Sequence, residues 1–175
     1  MENIADLFLL RKDITFLNFG SFGATPAPIF DAYQKWQRVL EAEPVQFIVF
    51  DGVNYLANSR AALAKFIGCP DKDDLVMVTN PSFAINLIAK NFPLNEGDEI
   101  LATDIEYGAC DRTWDFYCKK NKATYRRQKI NLPITSKEKF IEDFFKGLTK
   151  NTKAIFISHI TSSTALILPV KEICE

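Results

Sequence analysis

The sequence predicts an α/β fold, a mostly parallel sheet with helices on both faces. Two observations carry this. From residue 75 onward, short apolar runs alternate with longer helical segments, which is the pattern of strands linked by crossover helices. Two of the runs, "LVMV" and "AIFI", are apolar without a break, as strands covered on both sides must be.

Each element has its own signal. "TFLNF" (15–19) is strand-like and leads into "GSFGATPAP", where two glycines and two prolines block regular structure. Helices are expected over about 28–41 and 54–67, the second ended by Gly68 and Pro70. "LVMVT" (75–79) then reads as a strand, followed by a helix from Pro81 to Phe92 that Pro93 stops. In that helix Ser82, Asn86 and Lys90 recur every fourth position. A polar stripe so narrow predicts an interior helix. "EILAT" (99–103) is a strand and 108–120 a helix, and "ATYRRQKI" is a strand. "SKEKFIEDFFKGL" is an amphipathic helix, "KAIFISH" (153–159) a strand, and "PVKEICE" starts a further helix.

Composition excludes several classes of function. The chain has 175 residues, 47% hydrophobic and 25% charged, enough for a core without disulfides or metal. A formal net charge of -1 creates no field to recruit nucleic acid or an anionic membrane. The basic cluster from Lys119 to Lys129 reads as a solvated helix end and strand edge. Cys69, Cys110, Cys118 and Cys174 form no CxxC pair, and His159 is the only histidine, so no metal site is expected. The start carries Glu2 and Asp6 and does not read as a signal peptide, and no stretch is long enough to span a bilayer. A soluble cytoplasmic protein is expected.

In open α/β sheets ligands bind beyond the carboxyl ends of the strands. Three turns are expected there. "TNPS" (79–82) places Pro81 at the first helical position, with free N–H groups and the Thr79 and Ser82 hydroxyls beside it, a geometry suited to an anion. Ordinary helix capping accounts for the same residues, and the turn has no GxxxxGK[ST] phosphate loop. "DIEYGAC" sets Tyr107 just past a strand, where its ring could cover a flat heteroaromatic ligand or simply pack on a neighbouring loop. Glu106 beside it reads as a solvated acid. "HITSSTA" offers a row of small hydroxyls but no GxSxG elbow. Together the three describe an anion cup, an aromatic platform and a hydroxyl-rich wall, which fits a phosphorylated planar cofactor.

The motifs "FLNFGSFGATP", "VTNPSFAIN", "NEGDEILATDIEYGACDRTW" and "ISHITSSTALILPVKEI" resemble, in order and spacing, the N-terminal part of the class V aminotransferases. These are fold-type I pyridoxal 5'-phosphate (PLP) enzymes, and the isopenicillin-N-epimerase-like branch is the most similar. The resemblance implies the aspartate aminotransferase-like large domain, a three-layer sandwich. Residues 1–70 would be an N-terminal segment with helices leading into it, and 71–175 an incomplete PLP-binding domain. Asn80, Pro81 and Ser82 would hold the cofactor phosphate, Tyr107 would lie over its ring, and Ser162 would sit near its 3-hydroxyl. Asn18 and Ser21 would border the substrate. An amino-acid substrate and a homodimer are implied as well.

Two groups that the family needs have no match here. The Schiff-base lysine and the aspartate that holds the pyridine nitrogen protonated lie beyond "PVKEI" in relatives, and Lys90 is too far along its helix to substitute. The chain is therefore expected to be part of a longer protein, with no catalytic residue of its own. A non-catalytic cofactor-binding or assembly half, and an unrelated α/β phosphate-binding domain, stay open as alternatives.

Overall fold

The computed structural model describes residues 4–20 and 22–175. The chain forms two compact units, Met1–Met77 and Val78–Glu175.

The first unit is helical. Helix α1 spans Ala27–Ala42, and α2 spans Gly52–Ile67 after a π-helical stretch at Gln46–Asp51. Rings of Trp36, Phe47 and Tyr55 pack against one another, with centroids 4.9 to 6.1 Å apart. Gly68 ends α2 in the left-handed region (φ 72°), as the glycine signal predicts. Arg60 ties α2 to the turn at 72–74 through Asp73 (2.7 Å) and the Lys72 carbonyl (3.0 Å). "TFLNF" does not form the expected strand. Its phenylalanines pack on one another and on Phe8 instead, and among the described residues the β-type pairing here is a bridge between Phe8 and Pro26.

The second unit is the α/β layer structure. Its helices are α3 (Pro81–Asn91), α4 (Gly108–Lys120), α5 (Lys137–Phe145) and α6 (Val170–Cys174). Strands β1 (Glu99–Thr103), β2 (Thr124–Gln128) and β3 (Thr152–Phe156) form one parallel sheet in the order β2-β1-β3. The expected strand at 75–79 is not formed. Among the described residues it has no ladder partner, and Val76, Met77 and Val78 are exposed. A run this apolar becomes a strand only where another strand satisfies its backbone.

Side-chain alternation along β1 divides the core in two. Ile100 and Ala102 face a cluster with Ala89 of α3, Trp114 and Cys118 of α4, and Tyr125 of β2. Leu101 faces the opposite cluster, built from Ile130, Phe140, Phe144, Leu168 and Ile173. The sheet is thus sandwiched between α3 and α4 on one side and α5 and α6 on the other, the three layers expected. Handedness explains the division. The chain moves one way from β1 to β2 and the other way from β2 to β3. Right-handed crossovers in opposite directions must use opposite faces.

Helix α3 corrects one expectation. It has a single buried residue, Ala89, while Phe83, Leu87 and Ile88 are exposed. Its apolar surface is wider than the one face that α4 and the sheet cover.

At the amino end of β1, Glu99 is buried and accepts two bonds of 2.9 Å from Arg126 on β2 and one of 2.8 Å from Thr149. The Arg126 guanidinium holds the Glu99 carboxyl below its ordinary 4.5, against the upward push of burial. A depressed folded value contributes stability above the unfolded value, and this is lost as pH falls through the folded one. Glu99→Gln should therefore flatten the fall in melting temperature between about pH 5 and about pH 3 relative to wild type. Equal slopes would show that the pair contributes nothing. Gly147 gives a second test. A Cβ there would lie 2.6 Å from Leu101 Cδ1, 2.9 Å from Gln128 Oε1 and 3.1 Å from Gln128 Cβ. Because Leu101 is locked in the core, Gly147→Ala should cost about 1–3 kcal/mol in urea denaturation.

Candidate cofactor site

Two of the three expected turns lie at the carboxyl edge of the sheet, on adjacent strands. The chain leaving β1 passes Tyr107 and enters α4 on one face. The chain leaving β3 passes Ser162 and enters α6 on the other face. Neighbouring connections that part to opposite faces open a crevice between the strand ends, the usual ligand position in such sheets.

Tyr107 is the residue just before α4, held extended (φ −62°, ψ 125°). The residue is 49% exposed, and its side chain makes no ring–ring contact or hydrogen bond among the described residues. The first turn of α4 carries Asp111, which is bonded to Arg127 of β2 at 2.7 and 3.0 Å. Arg127 in turn lies over the Tyr125 ring, 4.6 Å from its centroid. Burial and the charges of Asp111 and Glu106 push the Tyr125 phenol well above its ordinary value.

Ser162 sits at the exposed tip of a closed turn after β3. Leu168 N–H donates to the His159 carbonyl (2.8 Å), Thr161 N–H to the Leu166 carbonyl (3.0 Å) and Ala165 N–H to the Thr161 carbonyl (2.9 Å). The buried Thr161 hydroxyl accepts from Leu166 N–H (2.9 Å) and pairs with the Thr164 hydroxyl (2.7 Å). The turn is closed by its own hydrogen bonds.

Asn80–Ser82 open α3, the 11-residue helix packed on α4. Asn86 of α3 donates to the Thr113 hydroxyl of α4 (3.2 Å), and the Phe92 and Trp114 rings meet at 5.9 Å. Asn80 is extended, and its side-chain oxygen accepts from Phe83 N–H (2.8 Å), while its carbonyl takes Ala84 N–H (3.2 Å). Pro81 has no N–H to satisfy. What remains at the positive end of the helix is the Ser82 N–H and hydroxyl, neither with a partner among the described residues. These groups fit a phosphate. Asn18 lies in the first unit, and Ser21 lies outside the described residues.

Glu106 differs from the sequence expectation. It is not a solvated acid. Its carboxylate accepts from the Thr103 hydroxyl of β1 (2.7 Å), from Ser158 N–H (3.1 and 3.2 Å) and from the Ser158 hydroxyl beyond β3. Thr103 is three residues away and could be guessed as a partner. Ser158 is 52 residues distant, and no local pattern announces it. Among the described residues no group of acids, histidines and cysteines could hold a metal, and no helix is long and apolar enough to cross a membrane.

Comparison with known proteins agrees with this architecture. The chain is 30% identical over 174 residues to isopenicillin N epimerase of Streptomyces clavuligerus, covering 99% of this chain and 44% of that protein. It is 31% identical over 177 residues to the isopenicillin N epimerase of Amycolatopsis lactamdurans, with the same two coverages, 99% and 44%. The chain therefore spans less than half the length of these relatives. Among solved structures, the cystine C-S lyase C-DES in complex with cysteine persulfide superposes with a TM-score of 0.84 at 22% identity, over 98% of this chain and 44% of that one. That likeness shows the fold, the large-domain architecture of fold-type I PLP proteins. Residues 25–175 match the family described as Aminotransferase class-V, and the chain belongs to that family, whose cofactor is pyridoxal 5'-phosphate.

Proposed function

We propose that the whole protein is a PLP-dependent enzyme acting on an amino acid, and that this chain supplies the phosphate and ring contacts of its cofactor site. The observation that carries the reading is the start of α3. Capping has consumed the Phe83 and Ala84 amides and left the Ser82 N–H and hydroxyl free at the positive end of an 11-residue helix. A phosphate dianion is stabilised there by the helix dipole and by two charge-assisted hydrogen bonds.

Each side chain then has a role. Asn80 fixes the first turn, Pro81 presets its backbone, and Ser82 donates to the phosphate. Tyr107 covers the pyridine ring, a reading supported by its half-exposed and unengaged aromatic face. The Ser162 hydroxyl is assigned to the neighbourhood of the cofactor's 3-hydroxyl, and Asn18 and Ser21 to the substrate, on family resemblance alone. When bound, PLP supplies an electron sink for negative charge developing at the substrate Cα. The lysine and aspartate that relatives use for proton transfer and for the ring nitrogen have no match among residues 1–175. Epimerisation, transamination and carbon–sulfur cleavage all share this first demand on the site, and a homodimeric cytoplasmic enzyme completes the reading.

Titration of the purified polypeptide with PLP, followed by tryptophan quenching and by retention on dialysis, tests this. Ser82→Ala should weaken binding about 10- to 100-fold, the value of a hydrogen bond to a charged group. Inorganic phosphate should compete in wild type. Equal affinity in wild type and variant would refute the phosphate assignment.

A further inference from the structure

We infer that Glu106 is a positioning residue that braces the crevice between β1 and β3, fixing the spacing between the turn bearing Tyr107 and the turn bearing Ser162. The inference rests on the reading of those turns as the cofactor site.

The backbone shows why a brace is needed. The β1–β3 ladder ends at the pair Ala102–Phe156. On the other side β1 continues to pair with β2 through Thr103–Gln128, and beyond that Asp104 N–H donates to the Gln128 carbonyl (3.0 Å) and the Asp104 carboxylate accepts from Ile130 N–H (2.9 Å). Toward β3 there is no further backbone pairing among the described residues. The chains diverge there to opposite faces of the sheet. Ser158 N–H would be an orphaned donor at a half-buried position, and the Glu106 carboxylate takes it with both oxygens. The side chain thus replaces the next rung of the ladder across the gap that the diverging chains open.

Its partners make the brace stiff. A carboxylate accepts only, and each of its three donor groups here is held by a strand end: the Thr103 hydroxyl, fully buried on β1, and the Ser158 N–H and hydroxyl beyond β3. Hydrogen bonds to an ionised acceptor are about twice as strong as neutral ones. Glu106 is also adjacent to Tyr107, and Ser158 lies four residues before Ser162. The 159–168 turn is closed by its own hydrogen bonds, so a displacement at Ser158 carries to Ser162. The Cys110 thiol, pushed up by burial and then by the Glu106 charge, is consistent with a carboxylate inside this edge and not out in solvent. A solvated acid would leave Ser158 unbonded and the two turns independent.

Amide hydrogen exchange over residues 158–165, measured without cofactor, and PLP affinity with the induced circular dichroism of the bound ring test this together. Glu106→Ala should speed exchange across 158–165 about tenfold or more, weaken PLP about tenfold and change the induced signal. Glu106→Gln keeps an acceptor for Ser158 N–H and should recover most of each effect. Ser158→Ala should move the same readouts in the same direction, less strongly, and it guards against a misfolded alanine variant. Unchanged exchange in both Glu106→Ala and Ser158→Ala would overturn the brace. Loosened turns with unaltered PLP affinity and ring signal would overturn its positioning role. A wild-type chain that binds no PLP would instead overturn the proposed function while the exchange data still judge the brace, so the two failures separate.

Discussion

The site depends on the point where two neighbouring parallel strands send their chains to opposite faces of the sheet. β1 is central and fully buried, β2 and β3 flank it, and the connections from β1 and β3 part beyond their carboxyl ends. Backbone pairing cannot continue across such a gap, so amides at its edge need side-chain partners. Topology places Tyr107 and Ser162 on the same edge of the sheet, after adjacent strands, although they lie far apart in sequence.

What fills the gap is chemically uniform. Carboxylates at 104 and 106 take up amides that the ladder leaves over, from Ile130 on one side and Ser158 on the other. Thr161, buried, closes the second turn on itself. The first turn of α3 follows the same rule with one exception: Asn80 uses up the next amides and leaves the Ser82 pair unspent. The Ser82 N–H and hydroxyl are thus the donors that capping leaves open at the positive end of this helix. In the proposed reading, capping and phosphate binding at residues 80–82 belong to one arrangement.

Much of this was legible in the sequence because it rests on local signals. Gly68, Pro81 and Pro93 mark helix limits through backbone restrictions that act within a few residues. The alternation of apolar runs and helices fixed three parallel strands and the two helix layers. Where the reading failed, the deciding interaction was distant. "LVMVT" has the composition of a buried strand but no partner among the described residues, and "TFLNF" packs ring against ring without a ladder. The narrow polar stripe of α3 promised burial, yet its neighbours cover a single face and leave Phe83, Leu87 and Ile88 open. Glu106 escaped for the same reason, since the donor that defines it arrives on another strand.

A crystal structure of the polypeptide with PLP measures the central claim directly. The account predicts the phosphate against the Ser82 amide and hydroxyl at the start of α3, with the pyridine ring under Tyr107 and reaching toward the turn that holds Ser162. A cofactor bound with its phosphate elsewhere, leaving the Ser82 N–H to water and the Tyr107 ring uncovered, would contradict it.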